Sequence, residues 1–110
     1  MLKKLLVLDG VTAVCRFQDD GSMIESAGLL PQPLMERLAQ FSHFYRRMIS
    51  SNTDLLALFA QANGWTPSRG WMVRGRDASV LSVGNLACLV ENNSASLNEV
   101  MQMLDAVSHE

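Results

Sequence analysis

The chain has 110 residues, of which 48% are hydrophobic and 18% charged, figures that fit one small globular domain and leave no room for a second. Nine Lys and Arg against eleven Asp and Glu give a formal net charge of -2, so the basic footprint of a nucleic-acid binder is missing. By size scaling, such a chain exposes about 17,500 Å² unfolded and about 6,000 Å² folded, enough burial for a core without disulfide or metal staples.

Leu2, Leu5 and Leu6 stand at i, i+3, i+4 with Lys3 and Lys4 opposite, which predicts a short amphipathic helix over residues 2–8, with Gly10 placed as its C-terminal cap. The apolar run stops at Asp9, short of a signal-peptide core, and no later segment approaches the roughly 18 apolar residues of a membrane span. The expectation is a protein of the cytoplasm, away from the membrane. From Val11 onward the period changes to two, with Val11, Ala13, Cys15 and Phe17 on one face and Thr12, Val14, Arg16 and Gln18 on the other. Asp19-Asp20-Gly21 then supplies a tight reversal before residues 22–26, so the pair reads as a β-hairpin.

Pro31 and Pro33 mark the start of a long helix. Leu34, Leu38, Phe41, Tyr45, Met48, Asn52, Leu55 and Phe59 recur at alternating steps of four and three. A helix of about 30 residues, or some 45 Å, is longer than a small domain needs to cover its own sheet. Ser50-Ser51-Asn52-Thr53-Asp54 interrupts the apolar density, which leaves a break near Asn52 open, and Asn63-Gly64 ends the helical pattern either way. Beyond the loop Trp65 to Trp71, three strands are expected at 71–74, 79–83 and 86–91, separated by Gly75-Arg76-Asp77 and Gly84-Asn85. A last helix opens on Ser96 and Glu99 in capping-box spacing and lines Leu97, Val100, Met101, Leu104 and Val107 on one face.

The succession helix, two strands, helix, three strands, helix, with Asp9-Gly10-Val11 before the first strand and Asp19-Asp20-Gly21 in the hairpin, resembles the roadblock/LC7 superfamily over nearly the whole chain. Gly64-Trp65-Thr66-Pro67-Ser68-Arg69-Gly70-Trp71, followed by Ser79-Val80, Gly84-Asn85 and Val90-Glu91-Asn92, is similar to a small family of uncharacterised bacterial proteins of that kind. The resemblance implies an α+β fold: a five-stranded antiparallel sheet of strand order 2-1-5-4-3, the long helix on one face and the two terminal helices on the other. It further implies dimers made by packing the long helices and pairing the third strands, and a role as scaffold or regulator of small GTPases and motor complexes. No catalytic residue and no cofactor is implied.

Two surfaces follow as candidates. Leu38, Phe41, Tyr45, Met48, Asn52 and Leu55, widened by Phe44 and Ile49, form a stripe broader than one sheet face requires, which points to a second copy of the chain as its recipient. Asn52 within it reads either as a register-fixing polar residue or as a polar residue at a helix kink. Trp65, Arg69, Trp71, Arg74 and Arg76 offer aromatic area and guanidinium groups for a ligand or peptide; the same residues also read as packing anchors and a solvated edge.

Cys15 and Cys88 are too few for a disulfide scaffold, and the implied strand order makes them candidate neighbours, either as a redox pair or as two buried thiols. His43 and His109 lack metal-ligand spacing, and phosphate-loop motifs are missing, so neither a metal nor a nucleotide site is expected. Asp19 and Asp20 sit in a turn exposed to water, without the surroundings of a general acid. The expected function is thus a non-enzymatic homodimeric scaffold or regulator of a cytoplasmic protein, a small GTPase being one partner class. The alternative is a small-molecule sensor or accessory subunit of a metabolic enzyme, working through the Trp65 to Trp71 loop.

Overall fold

The computed structural model describes residues 2–52 and 70–109. Its elements are α1 (Lys3–Leu6), β1 (Val11–Phe17), β2 (Met23–Gly28), α2 (Gln32–Ser51), β3 (Gly70–Arg74), β4 (Ala78–Val83), β5 (Leu86–Glu91) and α3 (Leu97–Ser108). All strand pairings are antiparallel and the order is β2-β1-β5-β4-β3, as expected from the sequence. Helices α1 and α3 lie on one face and α2 on the other, which creates two cores separated by the sheet.

That layering explains a departure from the period-two reading of β1. Ala13, Cys15 and Phe17 pack with Met35, Leu38 and Ala39 of α2, while Val14, on the face expected to be polar, packs with Leu5, Val100, Leu104 and Val107 of the terminal helices. A strand covered on both faces has no reason to alternate fully. Burying a side chain as large as Val14, Leu38 or Phe17 contributes about 1.5–3 kcal/mol.

Helix α1 is shorter than residues 2–8, because Val7 already acts as its C-cap and its side chain is exposed. Gly10 belongs to the turn before β1 and does not cap the helix. Its φ of 84° suits glycine, and a Cβ there would come within 2.6 Å of the Ala95 nitrogen. Helix α2 begins where the prolines permit, with the Leu34 and Met35 amides both donating to the Pro31 carbonyl. It ends at Ser51 after 20 residues, so of the two readings left open the break near Asn52 holds and the single helix of about 30 residues does not. The stop has a local cause: the Ser51 hydroxyl and the Asn52 side-chain amide both donate to the Met48 carbonyl, and the Asn52 backbone amide donates to that of Ile49. Helix α3 starts as read, with the Ser96 hydroxyl accepting from the Glu99 amide. Among the described residues, no helix is long and apolar enough to cross a membrane.

Candidate functional site

Met35, Leu38, Ala39 and Ser42 recur at helical spacing and turn toward the sheet, which leaves the rest of α2 to be used. On its flank toward β3, Leu34, Phe41, Phe44 and Met48 stay exposed, Phe44 at 62%. Tyr45 stacks on Phe41 with ring centroids 4.7 Å apart and meets Phe44 at 6.2 Å. Trp71 of β3 closes the cluster, 5.3 Å from Tyr45 and 6.2 Å from Phe41. Strand β3 pairs with β4 alone among the described strands, so this apolar flank runs beside an open sheet edge.

The structure sorts the residues expected to meet a second copy. Phe41, Tyr45 and Met48 lie together on this flank. Leu38 does not, because it is buried under the helix against β1, and Asn52 caps the helix end. Leu55 and Phe59 lie outside the described residues. Phe44, offered only as a widening of the stripe, is the most exposed of the aromatic side chains on α2.

The second expected surface is not assembled as one. Trp65 and Arg69 lie outside the described residues. Trp71 is only 9% exposed and serves as a packing anchor, its indole Nε1 buried without a hydrogen-bond partner among the described residues. Arg74 falls on the opposite sheet face, since its register partner is Ser79 whereas that of Trp71 is Ser82. Arg76 is exposed in the β3–β4 turn, beyond the end of β3 at Arg74 and at the far end of the strand from Trp71. Cys15 and Cys88 are likewise separated: Cys15 pairs with Ala87 and Cys88 with Val14, so the two thiols enter different cores. Desolvation by burial pushes each up to about 12, and for Cys88 the charge of Cys15 adds to it, so neither is an available nucleophile near neutral pH.

Two features escaped sequence reasoning because they join distant residues. Asn92 clamps the β3–β4 turn: its side-chain amide donates to the carbonyls of Gly75 (2.9 Å) and Arg76 (3.2 Å), and its Oδ1 accepts from the Ser79 hydroxyl at 2.6 Å. The Val90-Glu91-Asn92 motif was the available signal. On the flank of α2 away from Trp71, His43 packs edge-on to Phe17 at 6.4 Å and covers Gly21, whose Cβ would meet its ring at 3.0 Å. There the β1–β2 turn and α2 border an open, shallow cleft of about 550 Å³ lined by Asp19, His43, Arg46, Arg47 and Ser51. A neighbouring cleft of about 470 Å³ shares His43, Arg47 and Ser51 and adds Phe44 and Met48. Asp20, at the same turn, is held below its ordinary value by hydrogen bonds from the Ser22 hydroxyl and amide, so it stays ionised and is no proton donor.

Residues 1–106 match the family described as "Uncharacterized conserved protein (DUF2173)". No curated protein matches the chain. Among solved structures it is similar to the roadblock/LC7 domain from Streptomyces avermitilis, with a TM-score of 0.75 at 13% identity over 96% of this chain and 86% of that one. It is also similar to MglB of Myxococcus xanthus, with a TM-score of 0.68 at 19% identity over 90% and 78% of the two chains. The gliding protein MglB from Thermus thermophilus gives 0.69 at 14% identity over 99% and 80%. At these identities the likeness is one of fold.

Proposed function

The chain belongs to the DUF2173 family and carries the roadblock/LC7 fold, and on that premise we propose that it works as a homodimeric, non-enzymatic module that binds and regulates another cytoplasmic protein. The observation that carries this reading is the apolar flank of α2, with Leu34, Phe41, Phe44 and Met48 exposed in a row beside the open edge of β3. A two-fold axis beside that edge would set two α2 helices against each other and continue the sheet through paired β3 strands, a self-complementary arrangement. Residues 1–110 act as one domain in this reading. The burial of both thiols supports a role without nucleophilic chemistry. A small GTPase is the partner class that the roadblock/LC7 resemblance implies.

Sedimentation velocity tests the dimer directly. Wild-type protein is expected at twice the chain mass and Phe44→Glu at the chain mass with unchanged far-UV circular dichroism, since Phe44 contributes little to the internal packing. A monomeric wild type, or a dimer indifferent to both Phe44→Glu and Met48→Glu, refutes the interface. Affinity capture from the native host, read by mass spectrometry beside the Phe44→Glu variant, then tests the partner class. Recovery of a small GTPase with wild type alone supports it, and capture of none counts against it.

A further inference from the structure

A separate observation lies on the other flank of α2. The larger cleft, between the β1–β2 turn and the C-terminal half of the helix, gathers three nitrogen-bearing side chains within one helical turn: His43, Arg46 and Arg47. Arg47 makes no hydrogen bond or ion pair among the described residues and is exposed. Arg46 reaches Asp19 at 3.5 Å, a long contact to a carboxylate whose side chain is 100% exposed, so an incoming anion can displace it. The ring of His43 lines the cleft, and its buried Nδ1 has no partner among the described residues. Helix ends normally repel anions at the C-terminus, but here the Met48 carbonyl is already occupied by Ser51 and Asn52 and the Ile49 carbonyl by the Asn52 amide. The adjoining shallow cleft, lined among the described residues by α2 side chains, continues past Arg47 onto Phe44 and Met48, an apolar patch next to a cationic one.

We propose that this double cleft binds a small phosphate monoester with an apolar substituent, the phosphate held by Arg46, Arg47 and His43 and the substituent resting on Phe44 and Met48. Guanidinium groups match phosphate geometry with paired donors, and two on adjacent residues with an imidazole beside them suit a dianion better than a single carboxylate. The charged half does not rest on the proposed dimer, since His43 faces the β1–β2 turn whereas Tyr45 faces β3.

Calorimetric titration with phenyl phosphate, inorganic phosphate and phenol as probes tests the two halves separately. Phenyl phosphate is expected to bind saturably, inorganic phosphate about tenfold more weakly, and phenol not at all. Arg47→Glu is expected to weaken phenyl phosphate by at least about tenfold, whereas Asp19→Asn, which frees Arg46, tightens it by about threefold. Both side chains are exposed, so both variants keep the fold, as circular dichroism will verify. Absence of saturable binding up to about 10 mM phenyl phosphate overturns the site, as does equal affinity in wild type, Arg47→Glu and Asp19→Asn. Equal binding of phosphate and phenyl phosphate overturns the apolar half and with it the ligand class.

Discussion

Replacing Trp71 by Ala and by Phe sets two opposed contributions against each other. The side chain is 9% exposed and touches the rings of Tyr45 and Phe41, so Trp71→Ala removes a large buried volume at the junction of β3 and α2. Such truncations cost about 3–5 kcal/mol, within which each aromatic pair accounts for about 0.5–1.5 kcal/mol. An edge strand relaxes more readily than a central one, which places the expected loss near 3 kcal/mol and the fall in Tm at roughly 12 °C. Trp71→Phe keeps a ring against Tyr45 and also deletes the buried indole N–H, which has no acceptor among the described residues. An unsatisfied buried donor costs about 1–3 kcal/mol, which offsets most of the lost ring area, so the net change is expected within about 1 kcal/mol. Urea unfolding followed by far-UV circular dichroism at several protein concentrations measures both variants and separates folding from association. If Trp71→Phe proves as costly as Trp71→Ala, the indole N–H has a partner and the reasoning fails; if Trp71→Ala costs under about 1 kcal/mol, the residue is no packing anchor.

Asn92→Ala is expected to cost about 2 kcal/mol by urea unfolding, because it strands the buried Ser79 hydroxyl and frees two turn carbonyls. Gly10→Ala should lose about 2–4 kcal/mol in the same assay, from positive φ together with the collision against Ala95. Both thiols have folded values raised to about 12, so their contribution to stability is whole below the ordinary thiol value and is lost as pH rises toward the raised one. The unfolding free energy from urea titrations should therefore fall above about pH 9, by roughly 1.4 kcal/mol per pH unit per thiol, and a Cys15→Ala/Cys88→Ala chain should lack that slope. Asp20 is shifted the opposite way, so its contribution is present above the ordinary carboxylate value and disappears as pH falls below it; Asp20→Asn should flatten the acid limb of the same profile.

Local order was legible where one period or one cap decided the outcome. The alternation over Ala13, Cys15 and Phe17, the Asp-Gly reversal and the Ser96 cap each report an interaction within a few residues, and each appears in the structure. Val11, read on the same face, instead packs against the terminal-helix core because the register shifts between it and Ala13. Strand order became legible through the family resemblance, since no local pattern pairs β1 with β5. Leu38 was misassigned because a heptad stripe and the core-facing stripe of a single helix overlap at that position; only the place of α2 over β1 tells them apart. The end of α2 at Ser51 was visible as a polar interruption, but its decisive bonds run back to the Met48 and Ile49 carbonyls, a choice between capping and continuation that composition leaves open. Trp71 against Tyr45, Asn92 on Gly75 and His43 on Gly21 join residues 17 or more positions apart, so they exist only once the sheet has formed.

Helix α2 therefore presents three different surfaces, at about 100° per residue, to three different neighbours. Met35, Leu38, Ala39 and Ser42 face the sheet, Phe41 and Tyr45 face the edge strand, and His43 and Arg46 face the β1–β2 turn. Phe44 and Met48 stand between the last two, lining the second cleft while remaining exposed on the flank assigned to self-association. Whatever orders Phe44 from one side changes the surface it offers to the other. Ligand binding and association that share these two side chains are thermodynamically coupled, and the coupling is reciprocal: a phosphate monoester that shifts the dimer constant by a given factor must itself bind the dimer with an affinity changed by that factor. The sign depends on whether the apolar substituent competes with the partner helix for Phe44 or extends the surface that the partner covers, and the dimer constant measured with and without phenyl phosphate reads it directly.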